Sequence, residues 1–232
     1  MDKFDTFGIL PHHLPNAIGL WENEQECLAW LATQADPTKH WLEIGAFCGG
    51  STIILALAKQ QPTLMSIDLN FDPMFDFNVF ERGKFDRIVQ KIQCNSIDFG
   101  RYYDRPTSLA FIDGFHSFSH VVHEFMTIDK LLTDDGIVIF HDVSPDLLYH
   151  NQANLEEIAQ YAHQNYDTLM DSQVEDFRLD EAVALICIDY GYEIIDIPVR
   201  KDIFHTVETH LDKWVRGSTS PFNALTAIRK KV

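Results

Sequence analysis

From His40 onward the chain alternates short β-favouring runs with helical segments, and that alternation constrains its fold more than any other feature of the sequence. His40-Trp41-Leu42-Glu43-Ile44 reads as a strand and Thr52 to Gln60 as a buried helix. Leu64 to Asp68, Ile88 to Gln93, Ser108 to Asp113 and Ile137 to Phe140 read as four more strands. Residues 69–87 are a Phe-rich mixture of loop and helix, while Ser119 to Leu132 and Ala153 to Gln164 read as helices. Ala182 to Ile188 and Tyr192 to Val199 flank Asp189-Tyr190-Gly191 and read as a hairpin. The order implies an α/β fold: a doubly wound, mostly parallel seven-stranded sheet, with helices on both faces and a closing antiparallel hairpin.

Upstream, residues 1–20 read as irregular and Glu22 to Ala32 as an amphipathic helix carrying Cys27, Leu28 and Leu31 on one face. The expected organisation is one domain. Residues 1–38 pack on a ligand-binding core of residues 39–200, and residues 201–232 form an extension acting as a lid or subunit contact.

With 35 acidic and 18 basic residues, the formal net charge is −17. So acidic a chain is a poor general binder of nucleic acid or anionic membrane. The surplus is uneven: Arg200 to Val232 holds seven basic and three acidic residues, leaving −21 on the rest. An apolar run such as Ile53 to Ala58 falls far short of the ~20 residues of a transmembrane helix. The start MDKFDTFGILPHHLP lacks the apolar stretch of a signal peptide. The scattered Cys27, Cys48, Cys94 and Cys187 suit reduced thiols, so a cytoplasmic location is expected.

In open parallel sheets, ligands sit beyond the carboxyl ends of the strands. The first strand runs into Glu43-Ile44-Gly45-Ala46-Phe47-Cys48-Gly49-Gly50-Ser51, where glycines permit a sharp turn and close backbone approach. The spacing is G-x-x-x-G-G, not the G-x-G-x-x-G of dinucleotide-binding folds, which counts against a nicotinamide dehydrogenase. The second strand ends at Asp68, a carboxylate placed to accept hydrogen bonds from a ribose diol.

Glu43-x-Gly45-x-x-x-Gly49-x-Ser51 followed by Asp68 resembles the cofactor site of class I S-adenosylmethionine-dependent methyltransferases. Phe111-Ile112-Asp113-Gly114-Phe115-His116-Ser117 and Gly136-Ile137-Val138-Ile139-Phe140-His141-Asp142-Val143 are similar to the bacterial small-molecule O-methyltransferases related to macrocin O-methyltransferase. The resemblance, over about residues 40–200, implies a Rossmann-like methyltransferase fold. It implies that Gly45, Gly49 and Ser51 line the methionine part of the cofactor, with Glu43 nearby. Asp68 would hold the ribose, and Asn95 and Ser96 would lie beside adenine. His116, three residues after Asp113, would be the catalytic base toward a hydroxyl.

Asp113, His141 and Asp142 end neighbouring strands and form a candidate metal site. Carboxylates suit Mg²⁺, whereas the histidine, standing where metal-dependent relatives have a carboxylate, tilts the set toward Mn²⁺, Fe²⁺ or Zn²⁺. The reading is therefore methyl transfer from S-adenosylmethionine to a hydroxyl of a small-molecule acceptor, with or without a divalent cation. An aminopropyltransferase, a dehydrogenase and a non-catalytic cofactor-binding module are the alternatives. No nucleic-acid or membrane partner is expected, and a second copy of the chain is a candidate partner. His116, His120 and His123 carry no H-E-x-x-H pattern and read as ordinary helix histidines beyond His116. Phe71, Phe75, Phe77, Phe80, Phe115 and Phe118 serve either as core or as walls of the cleft.

Overall fold

A computed structural model describes residues 20, 22–59, 63–143, 152–172, 174–175, 178–195, 197 and 225–231. Helix α1 (Glu22–Gln34) leads into β1 (His40–Ile44), α2 (Gly50–Lys59) and β2 (Leu64–Asp68). A wide π-helical segment, Asp76–Arg82, precedes β3 (Val89–Gln93), and a single turn α3 (Ser96–Phe99) precedes β4 (Thr107–Ile112). Then come α4 (Phe118–Asp129), β5 (Leu132–Phe140), α5 (Gln152–Gln164), α6 (Tyr166–Met170), α7 (Leu179–Asp189), β6 (Tyr192–Ile194) and β7 (Thr226–Lys230).

The seven strands form one sheet in the order β3-β2-β1-β4-β5-β7-β6. The first five are parallel, and β7 runs antiparallel to both β5 and β6. The doubly wound α/β sheet expected from the sequence is therefore present. Its central strands are buried on both faces, as the all-buried Thr107–Ile112 shows. Period-2 alternation divides the core. Trp41, Leu109 and Phe111 face the cluster built with α1 and α2. Leu42, Ile44, Ala110 and Ile112 face the cluster built with α4, α5 and α7.

The closing strands differ from the expected hairpin. Ala182 to Ile188 lies within helix α7, where Leu179 and Ala182 to Cys187 are buried. A short continuous apolar run reads equally as a buried strand or as a helix buried all round, and periodicity cannot separate the two. The partner of β6 is instead the distant β7. Thr226–Lys230, expected in an extension, lies inside the sheet, with Leu225, Thr226, Ala227 and Ile228 fully buried. Residues 201–224, including Trp214 and the rest of the expected lid or subunit contact, lie outside the described residues. The four cysteines form no disulfide. Among the described residues no helix is long and apolar enough to cross a membrane.

Candidate active-site cleft

The strand order reverses between β1 and β4, and a cleft of about 530 Å³ opens beyond their carboxyl ends. Asp113 N–H joins the end of β4 to β1 by donating to Ile44 O at 2.8 Å, and Gly45 N–H ties the end of β1 to β2 by donating to Ile67 O at 2.9 Å. Gly45 has φ +83°, and a Cβ there would collide with the Asp113 carbonyl. Only glycine meets both demands. Four residues on, Gly49 has φ +89°, and a Cβ would stand 2.5 Å from Val79 and 3.2 Å from the Phe75 ring. These two glycines bring the loop down onto the strand ends and onto the π-helical segment.

Asp68 is held by that loop. Its Oδ2 accepts from Phe47 N–H at 2.8 Å and its Oδ1 from Asn70 N–H at 2.9 Å. Phe47 itself takes φ +44° to make the contact. Asn95 caps α3 by accepting from Ile97 N–H, and Ser96 donates to Glu124 Oε1 at 2.5 Å. Gly45, Ser51, Asp68, Asn95, Ser96, Asp113, His116, His141 and Asp142 all line the one cleft.

Two expected site residues do not line it. Glu43 is fully buried behind the loop, its Oε1 accepting from Ser51 and its Oε2 from Thr52 and Ser66, at 2.5–2.6 Å. Burial raises its pKa to about 7 against the pull of those three hydroxyls. Gly49 faces Val79 and Phe75. Of the aromatic set, Phe115 lines the cleft, whereas Phe75 and Phe118 are buried core.

The ends of β4 and β5 carry the ionisable cluster. His141 Nδ1 lies 3.0 Å from Asp113 Oδ1 and 3.5 Å from Asp142 Oδ1, and its Nε2 lies 3.4 Å from Glu24 Oε2. Burial opposes a charge on His141, but hydrogen bonds to Asp113, Asp142 and Glu24 outweigh it and push the pKa up to about 12. Burial likewise disfavours charge on Asp142, yet His141 beside it holds its pKa below the ordinary carboxylate value. Asp142 has φ +56°, in the left-handed region that Asp tolerates better than most residues.

His116 Nε2 lies 3.4 Å from Asp113 Oδ1 and 3.3 Å from Asp142 Oδ2, and its Nδ1 lies 3.6 Å from Glu175 Oε1. The Asp113 hydrogen bond raises the His116 pKa above the usual imidazole value, against a smaller effect of burial. His116 precedes Ser117, the N-cap of α4, and so stands outside the helix and lines the cleft. Asp113, His141 and Asp142 offer one nitrogen and two oxygens within 4.8 Å of one another. A divalent first-row cation would take that set only by displacing the His141 proton that faces Asp113.

Sequence reasoning missed Glu24, His120, Glu124 and Glu175. His120 lines the cleft, packs against Phe115 with ring centroids 4.6 Å apart, and its Nδ1 lies 2.9 Å from Ser117 Oγ. Its partner in the helix pattern, His123, is exposed and bonds Ser119 O through Nδ1 at 2.7 Å. Glu24 and Glu124 did leave a signal. Glu24 falls in register with Cys27, Leu28 and Leu31, and Glu124 with Val121, Phe125 and Ile128, so each puts a carboxyl on the apolar stripe of its helix. Both are 1% exposed. Glu175 is exposed, between helices, and left no such signal.

Residues 42–143 match a family model described as a methyltransferase domain. No curated protein matches the sequence. Solved structures do. An inferred O-methyltransferase from Klebsiella pneumoniae is 16% identical, with a TM-score of 0.59, covering 96% of this chain and 84% of that one. A Bacillus cereus O-methyltransferase in complex with S-adenosylhomocysteine is 14% identical, with a TM-score of 0.56 and coverage of 94% and 84%. The Podospora anserina methyltransferase PaMTH1, also bound to S-adenosylhomocysteine, is 17% identical, with a TM-score of 0.55 and coverage of 90% and 78%. At these identities the likeness is one of fold. The architecture is the Rossmann-like fold of class I methyltransferases.

Proposed function

We propose that the protein is an S-adenosylmethionine-dependent methyltransferase acting on a hydroxyl of a small molecule. One observation carries the reading: the glycine loop with Asp68 and the Asp113-His116-His141-Asp142 cluster line a single cleft at the switch point of the sheet. A pure binding module would have no use for the second group. The domain match over residues 42–143 and the cofactor-product complexes among fold relatives support the first.

In this reading Gly45 and Ser51 border the methionine end of the cofactor, Asp68 holds the ribose, and Asn95 and Ser96 border the base. Glu43 acts from behind, fixing Ser51 at the helix start, and Gly49 shapes the loop. The sulfonium brings a methyl group already activated for transfer, so the protein's share is positioning and proton removal. His116 takes the hydroxyl proton at Nε2. Asp113 and Asp142, both within 3.4 Å of that nitrogen, stabilise the imidazolium that results. Asp113, His141 and Asp142 would hold a divalent cation, which would bind acceptor oxygen and lower its pKa. Glu24 then orients the His141 ring through the opposite nitrogen.

Titration calorimetry with S-adenosylmethionine tests the reading. Wild type should bind in the micromolar range, and Asp68→Ala should bind at least tenfold more weakly. Repeating the titration with Mg²⁺ or Mn²⁺ tests the metal set, with Asp142→Ala as the control. Absence of binding by wild type under all these conditions removes the methyltransferase reading.

A further inference from the structure

Glu175 lines the cleft without accepting a hydrogen bond from any described residue. It stands between α6 and α7 with its side chain 46% exposed, and its Oε1 lies 3.6 Å from His116 Nδ1. That separation is too long for a hydrogen bond. The other carboxylates of the cleft are engaged. Asp68 accepts from two backbone N–H groups, Asp113 and Asp142 face His141, and Glu124 accepts from Ser96. Glu175 is left as a charge at the mouth of the site, on the far side of the His116 ring nitrogens from Asp113 and Asp142.

No Lys or Arg is among the described residues that line the cleft. With no divalent cation bound, Asp68, Asp113, Asp142 and Glu175 outweigh His116 and His141 even when both rings carry a proton. A cleft lined by one sign of charge concentrates ligands of the other. Phe115, next in the chain to His116, lines the same cleft with 38% of its surface open, an apolar face beside the base. The site therefore offers three things together: a base for a hydroxyl, an apolar surface and an unengaged carboxylate. This inference rests on the methyltransferase reading above, in which His116 Nε2 takes the acceptor's hydroxyl proton. We infer that Glu175 binds a cationic group of the acceptor, so that the protein methylates hydroxylated amines in preference to neutral or anionic hydroxyl compounds. Glu175 faces Nδ1 while the hydroxyl meets Nε2, so the ammonium stands across the ring from the reacting oxygen and not next to it. Glu175 supplies the attraction, and the remaining carboxylates supply the repulsion that turns an anionic acceptor away.

The test is titration calorimetry on protein saturated with S-adenosylhomocysteine, without added metal. The probes are three phenols of nearly one shape: tyramine, p-ethylphenol and p-hydroxyphenylpropionate, whose tails end in an ammonium, a methyl group and a carboxylate. Wild type should bind tyramine about fivefold more tightly than p-ethylphenol, the upper end for a partly exposed ion pair. It should bind the carboxylate most weakly, and the tyramine advantage should shrink as salt is raised. Glu175→Gln should cut that advantage to about twofold or less, and Glu175→Lys should place the carboxylate above tyramine. Because the side chain is half exposed, neither substitution disturbs the core. Equal affinity of wild type for tyramine and p-ethylphenol overturns the proposal, as does a Gln variant that keeps the full advantage. A Gln variant that weakens all three probes equally marks a merely structural role and overturns it too. Wild type that binds S-adenosylhomocysteine but not tyramine overturns the proposal and leaves the cofactor reading standing. Failure to bind S-adenosylhomocysteine removes that reading, and this inference with it.

Discussion

Glu43 links the loop to the core through protonation as well as geometry. Three hydroxyls converge on a carboxyl that burial holds at a pKa of about 7, against an ordinary value of 4.5. Between those two values the folded protein keeps the proton and the unfolded chain releases it. Stability from this group is therefore full below pH 4.5 and is lost as pH rises through about 7. Glu43→Gln keeps an acceptor for the hydroxyls and cannot ionise. Relative to wild type, the variant's melting temperature should rise by several degrees between pH 5 and pH 8, read by calorimetry. Each tenfold change in proton affinity is worth about 1.4 kcal/mol, and each kcal/mol about 2–4 °C in a chain of this size. At His116 the sign concerns a base. Asp113 raises its pKa, so the neutral, proton-accepting ring prevails only above the usual imidazole value. An NMR titration of the metal-free protein should place His116 above 6.5, and Asp113→Asn should bring it down. A His116 pKa unmoved by Asp113→Asn would remove Asp113 as the cause.

The junction of β1 with β4 is where element geometry and site coincide. Because the Gly45 Cα faces the Asp113 carbonyl, Gly45→Ala must either separate the two strand ends or strain the loop. The expected result is a loss of about 3 kcal/mol or more in urea unfolding, together with loss of cofactor affinity. A variant with unchanged stability would mean that the junction yields more easily than its backbone hydrogen bonds imply. The same junction shows how far the sequence could be read. Glycines after β1, Asp68 after β2 and Asp113 after β4 are legible because strand ends are the places where a parallel sheet holds ligands. Glu43 shares the first motif, yet its side chain points to the α2 face, into hydroxyls that no spacing announced. Glu24 and Glu124 are carboxyls on helix stripes that look apolar, and such a position identifies a buried acid only once the helix's neighbours are known. Helix α7 defeated the pattern for another reason. It has no polar face to set a 3.6-residue period, since sheet and helices enclose it.

At the scale of the whole molecule, the sheet is completed by the end of the chain. β7 lies between β5 and β6 and is hydrogen-bonded to both, so without it β5 loses a neighbour and β6 loses the one strand paired with it among the described residues. The basic tail meets acidic partners there, with Arg229 Nε 2.8 Å from Glu193 and Lys230 Nζ 3.6 Å from Asp129. These pairs are partly exposed, and pairs of that kind contribute ~0–1 kcal/mol. Register is set instead by Thr226, Ala227 and Ile228, which are wholly buried. Arg229→Ala should therefore shift urea unfolding by less than about 1 kcal/mol. Deleting residues 225–232 should abolish the cooperative transition, expose β5 as a long apolar edge and raise dye binding to exposed apolar surface. A truncated chain that unfolds cooperatively at the wild-type midpoint would show that the parallel strands β1–β5 stand alone. The expected loss follows from the sequence separation: β5 ends at Phe140, and the strand that covers its edge begins at Thr226. Such long-range pairing is intrinsically slow, because the loop must close before its contacts form.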